Sequence, residues 1–223
     1  QGTCQWENED LWTSATNGQT IDVYVLDGDD GTTKEMITLQ GVSPGYFGLY
    51  GAAVDGNGDF WGSQLGMGKL VRVNRDDMTY DIWNMAASGY GMTVDADGFV
   101  WTCSSSVARF DPQTESWETA QVGGSTGCMA DAAEDGLLWV SNGQGVIGVN
   151  RDTLQVVQTW NAAGSYGISI DFEGYVWAVA YGTTASKIDP ATGQFWTYNG
   201  LVGAYTYSDM TGYALINVGN PSG

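Results

Sequence analysis

Apolar and polar residues alternate along this chain in short runs, and the runs come in groups. "GMTV" (91–94), "FVWTC" (99–103), "VARF" (107–110) and "ESWET" (115–119) follow one another with only a few polar or glycine residues between them. Short runs with a period of two predict β-strands. The intervening "DADG" has hairpin chemistry, in which Asp caps the turn and Gly takes the positive-φ position, and "DPQT" marks a second turn. Amphipathic helical periodicity is absent.

The group repeats. "YGAAVDGNGDFWGS" (50–63), "YGMTVDADGFVWTC" (90–103), "TGCMADAAEDGLLWVS" (126–141), "YGISIDFEGYVWAV" (166–179) and "VGAYTYSDMTGYALIN" (202–217) align on Trp61, Trp101, Trp139, Trp177 and Leu215, spaced 40, 38, 38 and 38 residues apart. Each aligned segment supplies two strands. A third strand ("LVRVN", "VARFD", "GVIGVN", "SKID"), a second turn and a fourth strand holding Trp83, Trp117, Trp160 or Trp196 follow. Four short strands in a unit of this length predict the blade of a β-propeller, so the fold class is all-β, in one domain over 1–223. Residues 11–39 match a unit from its second strand onward, and 202–217 supply only the first two strands. Joining both ends in one shared blade predicts five blades and no free sheet edge. Trp12 and Leu215 then compete for one position, which leaves six blades as the alternative.

Composition changes the picture in one respect. Lys and Arg number 7 against 26 Asp and Glu, histidine is absent, and the net charge is -19. Nucleic acid and anionic membranes are poor partners for such a surface. The acidity, with a start at Gln1, carries an expectation of export to an extracellular or periplasmic location, as a monomer. Of Cys4, Cys103 and Cys128, the last two come from neighbouring units; they form either a disulfide or two buried thiols.

The pattern Tyr-Gly-x-x-x-Asp-x-x-Gly-x-x-Trp, followed by "FDPQTESW" and "IDPATGQFW", resembles the blade repeat of the streptogramin (virginiamycin B) lyases. It also resembles the wider group of gluconolactonase-like and NHL-type propellers. The lyase resemblance implies a central site with a metal ion, histidines as proton carriers and a carboxylate shortly after the blade tryptophan. This chain has no histidine, and Gln64, Ser104, Asn142 and Ala180 stand where that carboxylate belongs. The lyase mechanism therefore does not carry over. The lactonase resemblance implies a divalent cation, typically calcium, near the axis.

In a propeller, the approach to the first strand and the loop after the second share one face. That face is expected to gather Tyr50, Tyr90, Thr126, Tyr166 and Val202, then Ser104, Asn142, Tyr181 and Asn217. Most carboxylates, such as Asp55, Asp95 and Asp171, fall in hairpin turns on the opposite face. Arg72, Arg109 and Lys187 recur at one third-strand position and are expected to pair with acidic turns. Tyr50, Tyr90, Tyr166, Ser104 and Tyr181 are the candidate ligand-binding residues, since aromatic faces with a polar tip suit sugars and flat molecules. Asn142 and Asn217 are the candidate calcium ligands, because amide oxygens serve that ion. Two functions follow as expectations: a non-catalytic module binding a carbohydrate or small molecule, or a calcium-dependent lactonase-type hydrolase.

Overall fold

The computed structural model of the chain describes residues 10–66, 68–123, 126–131, 136–162 and 165–206. Every regular element among them is a β-strand, and no described helix is long and apolar enough to cross a membrane. The first sheet holds β1 (Asp10–Thr16), β2 (Ile21–Asp27) and β3 (Thr33–Leu39). The second holds β4 (Gly51–Val54), β5 (Phe60–Ser63), β6 (Lys69–Val73) and β7 (Tyr80–Asn84). The third holds β8 (Gly91–Val94), β9 (Val100–Cys103), β10 (Val107–Asp111) and β11 (Ser116–Ala120). The fourth holds β12 (Cys128–Ala130), β13 (Leu137–Ser141), β14 (Val146–Asn150) and β15 (Val156–Trp160). The fifth holds β16 (Ser165–Ile170), β17 (Val176–Ala180), β18 (Ala185–Ile188) and β19 (Phe195–Tyr198). Each is an antiparallel meander in chain order, and together they form a five-bladed β-propeller.

The inner strands β4, β8, β12 and β16 contact one another in sequence around the axis. The first blade, β1–β3, begins at the second-strand position, as residues 11–39 predict. Leu215, Asn217 and most of the segment expected to supply its inner strand lie outside the described residues.

Burial falls from the middle of each blade outward. All four residues of β5 and of β9 are buried, whereas β7 and β11 alternate between half-buried and exposed. The second strand is covered on both faces because blades stack face to face. Four hydrophobic clusters fill four junctions. One joins Ile21 and Val23 to Phe60 and Val71, and the next joins Trp61 and Leu70 to Met92 and Phe110. The others join Trp101 and Val107 to Leu138, and Trp139 to Ile168 and Val176. Trp61, Trp101 and Trp139 are thus inter-blade core, whereas Trp177 is only half-buried and joins none of these clusters. No blade buries both its faces alone, which is why the unit must repeat.

A carboxylate clamp explains the fixed Asp and Trp of the repeat. In the second blade, Asp55 Oδ1 accepts from the Asn57 and Asp59 amides, while Oδ2 accepts the Trp61 indole N–H at 2.8 Å. In the third, Asp95 does the same with the Asp97 and Phe99 amides and with Trp101 at 2.8 Å. In the fifth, Asp171 holds the Glu173 and Tyr175 amides and Trp177 at 2.7 Å. Gly58, Gly98 and Gly174 complete these turns at φ +85°, where side chains are strained. The fourth blade has two more residues between Asp131 and Trp139. There the indole Nε1 is buried without a hydrogen-bond partner among the described residues.

Gly91 answers to a different constraint. A Cβ there would stand 2.7 Å from the Thr126 carbonyl oxygen and 3.0 Å from the Cys128 nitrogen, so the inner strands of two blades meet backbone to backbone. Cys103 and Cys128 form a disulfide at the same junction, with Cα atoms 6.2 Å apart. It ties β9 to β12. Cys4 lies outside the described residues.

Candidate functional site

One backbone contact places the approach residues. The Tyr50 amide donates to the Ser63 carbonyl at 2.7 Å, the Tyr90 amide to Cys103 at 2.6 Å and the Thr126 amide to Ser141 at 2.8 Å. Each bond ties the entry of a first strand to the end of the second strand of its own blade. The side chains therefore emerge at equivalent points of one channel mouth. Tyr166 sits where the β16–β17 register shifts between Ser165 and Gly167. A bulge there re-aims a side chain. The fourth blade contributes hydroxyls instead of a ring: Thr126 Oγ1 donates to the Tyr166 carbonyl at 3.0 Å, and Ser141 Oγ donates to the same oxygen.

The rings form one continuous cluster. Tyr50 and Tyr90 have centroids 5.0 Å apart, and Tyr166 meets Tyr90 edge-on at 5.5 Å. Tyr166 also touches Tyr181 at 5.9 Å and Tyr205 at 5.5 Å, and Tyr181 touches Tyr205 at 5.1 Å. Phe47 extends the cluster outward against Tyr50 at 5.6 Å. The hydroxyls bond among themselves: Tyr50 donates to Tyr90 at 3.1 Å, and Tyr90 and Tyr205 share a hydrogen bond. Burial, reinforced by hydrogen bonding with Tyr166, Tyr205 and Tyr50, holds the Tyr90 phenol far above its ordinary value, and burial moves Tyr205 in the same direction. Tyr90 and Tyr205 are therefore held as neutral phenols.

Of the candidates, Tyr50, Tyr90, Tyr166 and Tyr181 come together. Ser104 lies in the turn between β9 and β10, where its amide donates to the Ser106 carbonyl at 3.0 Å. Tyr205 and Phe47, with Tyr46 against Phe47 at 4.7 Å, join the cluster without being among the candidates. Val202, the residue aligned with the tyrosines, is 96% exposed, and Tyr205 three residues later joins the rings instead. The isolated bridge between Gly182 and Ala204 carries Tyr205 alongside Tyr181, a register the repeat alignment does not contain. Phe47 precedes the repeat motif, and no periodicity marks it.

The calcium candidates have a different setting. Asn142 Oδ1 accepts from the Gln144 and Gly145 amides at 3.1 and 2.7 Å, so it caps the β13–β14 turn. Asn217 lies outside the described residues. Among the described residues, no three of His, Cys, Asp and Glu are grouped to hold a metal ion. Calcium takes six to eight oxygens.

On the opposite face, a cleft of about 240 Å³ lies between the third and fourth blades, lined among others by Asp95, Asp97, Phe99, Arg109 and Arg151. Its charges answer one another. Arg151 lies 3.5 and 3.6 Å from Asp95 and Asp97, and Arg109 pairs with Glu118 while lying 4.8 Å from the centroid of the Phe99 ring. Arg72 pairs with Asp59 and Lys187 with Asp171, the pattern expected of the recurring third-strand cations.

Solved structures share this architecture. Virginiamycin B lyase from Staphylococcus aureus superposes with a TM-score of 0.69 at 12% identity, covering 87% of this chain and 67% of the lyase chain. The likeness is one of fold. A catalytically inactive histidine-to-alanine variant of that lyase, solved with quinupristin, gives 0.66 at 13% identity and covers 86% and 74% of the two chains. A protein of unknown function from Bacteroides caccae gives 0.61 at 13% identity, covering 86% and 73%. No family model and no curated protein matches the sequence. At such identities the blades are shared and the chemistry must be argued from this chain's own residues.

Proposed function

We propose that this propeller is a non-catalytic binding module that takes a carbohydrate or small molecule at its tyrosine mouth. The ring cluster carries the reading. Six aromatic side chains from five segments of the chain converge where a propeller presents its channel, and Tyr181 remains 72% exposed. Aromatic surface with hydroxyl tips is binding material. Proton transfer near neutral pH calls for a group such as histidine, and the chain has none. The Cys103–Cys128 disulfide supports an oxidising compartment, extracellular or periplasmic.

The test pairs a glycan and small-molecule binding screen of the wild type with Tyr166→Ala and Tyr181→Ala. Loss of a bound compound in both variants, with no turnover of it, is the expected result. Hydrolysis of a lactone that stops on adding EDTA would overturn the module reading in favour of a metal-dependent hydrolase.

A further inference from the structure

The mouth's geometry and charge narrow the ligand class, and this step rests on reading the mouth as a binding site. Tyr166, Tyr181 and Tyr205 make a triangle of ring centroids with sides of 5.9, 5.5 and 5.1 Å and interplanar angles of 55, 62 and 69°. Rings this close leave no room for an ion between them. A cation seated about 4 Å above the centre of the triangle, however, is about 5 Å from all three centroids, inside the roughly 6 Å reach of a cation–π contact. Tyr181 is 72% and Tyr205 39% exposed, so the triangle is open to solvent.

Electrostatics select the same class. The chain carries a net charge of -19. Of its 7 basic side chains, Lys34, Arg72, Arg75, Arg109, Arg151 and Lys187 each lie against a carboxylate, and the seventh, Lys69, donates to Asn84. The turn carboxylates lie on the face away from the mouth, so this charge acts as a long-range field that disfavours an anion and favours a cation without setting a carboxylate beside the rings. Small inorganic cations and primary ammonium groups keep their water. A quaternary ammonium group is weakly hydrated, and its methyl groups match an apolar aromatic floor. The hydroxyls of Tyr50, Tyr90 and Tyr205 already bond to one another, so a neutral sugar would have to displace that network to satisfy its own hydroxyls.

We propose that the mouth binds a quaternary or fully methylated ammonium group of a small molecule, seated on Tyr166, Tyr181 and Tyr205. The experiment titrates the full chain, at physiological ionic strength, with choline, with tetramethylammonium and with 3,3-dimethylbutan-1-ol, the neutral isostere in which carbon replaces nitrogen. Ring resonances of the tyrosines are followed by NMR. Choline should shift Tyr181 and Tyr205 saturably, the isostere should bind about 10-fold more weakly or worse, and Tyr181→Leu should weaken choline by about 2- to 5-fold while retaining the fold. Because Tyr181 is mostly exposed, that variant keeps the protein testable. Equal binding of choline and the isostere would overturn the cation assignment and leave the module reading standing, as would ring shifts produced by a neutral sugar but not by choline. Choline binding that is unchanged in Tyr181→Leu and vanishes with added salt would reduce the effect to counterion attraction and also overturn the assignment. Silence of the rings toward ammonium, isostere and sugars alike would overturn both readings.

Discussion

Substituting Asp95→Asn isolates the clamp that makes the repeat a repeat. One carboxylate oxygen accepts the Trp101 indole N–H and the other accepts the Asp97 and Phe99 amides, so the group faces buried donors on both sides. A carboxamide has a single acceptor oxygen. However it is turned, its NH2 confronts a donor, and Arg151 loses a charged neighbour at 3.5 Å. A hydrogen bond to a charged acceptor contributes about 1.5–3 kcal/mol, and a stranded buried donor costs about 1–3 kcal/mol. The two figures overlap. Against them, burial pushes the Asp95 carboxyl above its ordinary value of 3.8 despite its donors, so the amide regains some of the desolvation cost that the charge carries. The expected net loss is about 2 kcal/mol in urea unfolding. A double-mutant cycle then locates it. In a Trp101→Phe background the amide can keep its oxygen on the Asp97 and Phe99 amides with no indole opposing its NH2. There Asp95→Asn should be milder by about 1 kcal/mol. If the two substitutions add within about 0.5 kcal/mol, Asp95 and Trp101 are independent and the clamp is not what holds the hairpin.

Equivalent carboxylates should respond to acid in opposite ways. Asp171 is also subject to desolvation, but Trp177, the Tyr175 and Glu173 amides and Lys187 bring it below 3.8; its contribution is present above that value and lost as pH falls through its folded pKa. Asp95 is raised, so stability rises as pH falls from its folded pKa toward 3.8. Urea midpoints measured across the acid range should therefore show a flatter acid limb in Asp171→Asn and a steeper one in Asp95→Asn; parallel curves would refute the assignment. The disulfide closes a separation of 25 residues, for which loop entropy gives about 3.5 kcal/mol. The double variant Cys103→Ser, Cys128→Ser should lose about that much in chemical unfolding, and an unchanged midpoint would mean that the bond contributes only locally. Alkaline ultraviolet titration should show a late phenolate step that disappears in Tyr90→Phe, and a curve indifferent to that substitution would mean the phenol cluster does not hold Tyr90 neutral.

The blades were legible because their shared residues answer to constraints that recur at every junction. Trp61, Trp101 and Trp139 are buried wherever a second strand is sandwiched, and Gly58, Gly98 and Gly174 occupy one backbone conformation. The clamp was half legible. The six-residue interval from Asp to Trp is constant in three blades, and the turn-capping role follows from Asp alone; the second oxygen's role needs the indole's direction, which periodicity does not supply. The disulfide stayed open in the sequence because it depends on the approach of β9 to β12 across a junction. The mouth divided the same way. Tyr50, Tyr90 and Tyr166 share an aligned position, but Tyr205 reaches the cluster through a bridge off the repeat register and Phe47 through a loop with no counterpart.

That division locates function within a repeat protein. At the approach position the scaffold's demand is met by the backbone: an amide donates to the carbonyl at the end of the second strand, whether the residue is Tyr50, Tyr90 or Thr126. The Tyr50 and Tyr90 rings are not needed for that contact, whereas the Thr126 hydroxyl adds a bond of its own to the Tyr166 carbonyl. Mid-blade the reverse holds, since replacing Trp101 or Asp95 disturbs a core or strands a donor. Positions where the repeat is faithful in backbone but free in side chain are where a site can be written without unfolding its host. In this chain the approach position carries rings in the second and third blades, a ring at a bulge in the fifth, and in the fourth the hydroxyl of Thr126, which with Ser141 from the end of the second strand holds the carbonyl of Tyr166. The hydroxyls of the fourth blade thus stand between the ring-bearing third and fifth blades, and this departure gives the mouth a direction that identical blades could not provide.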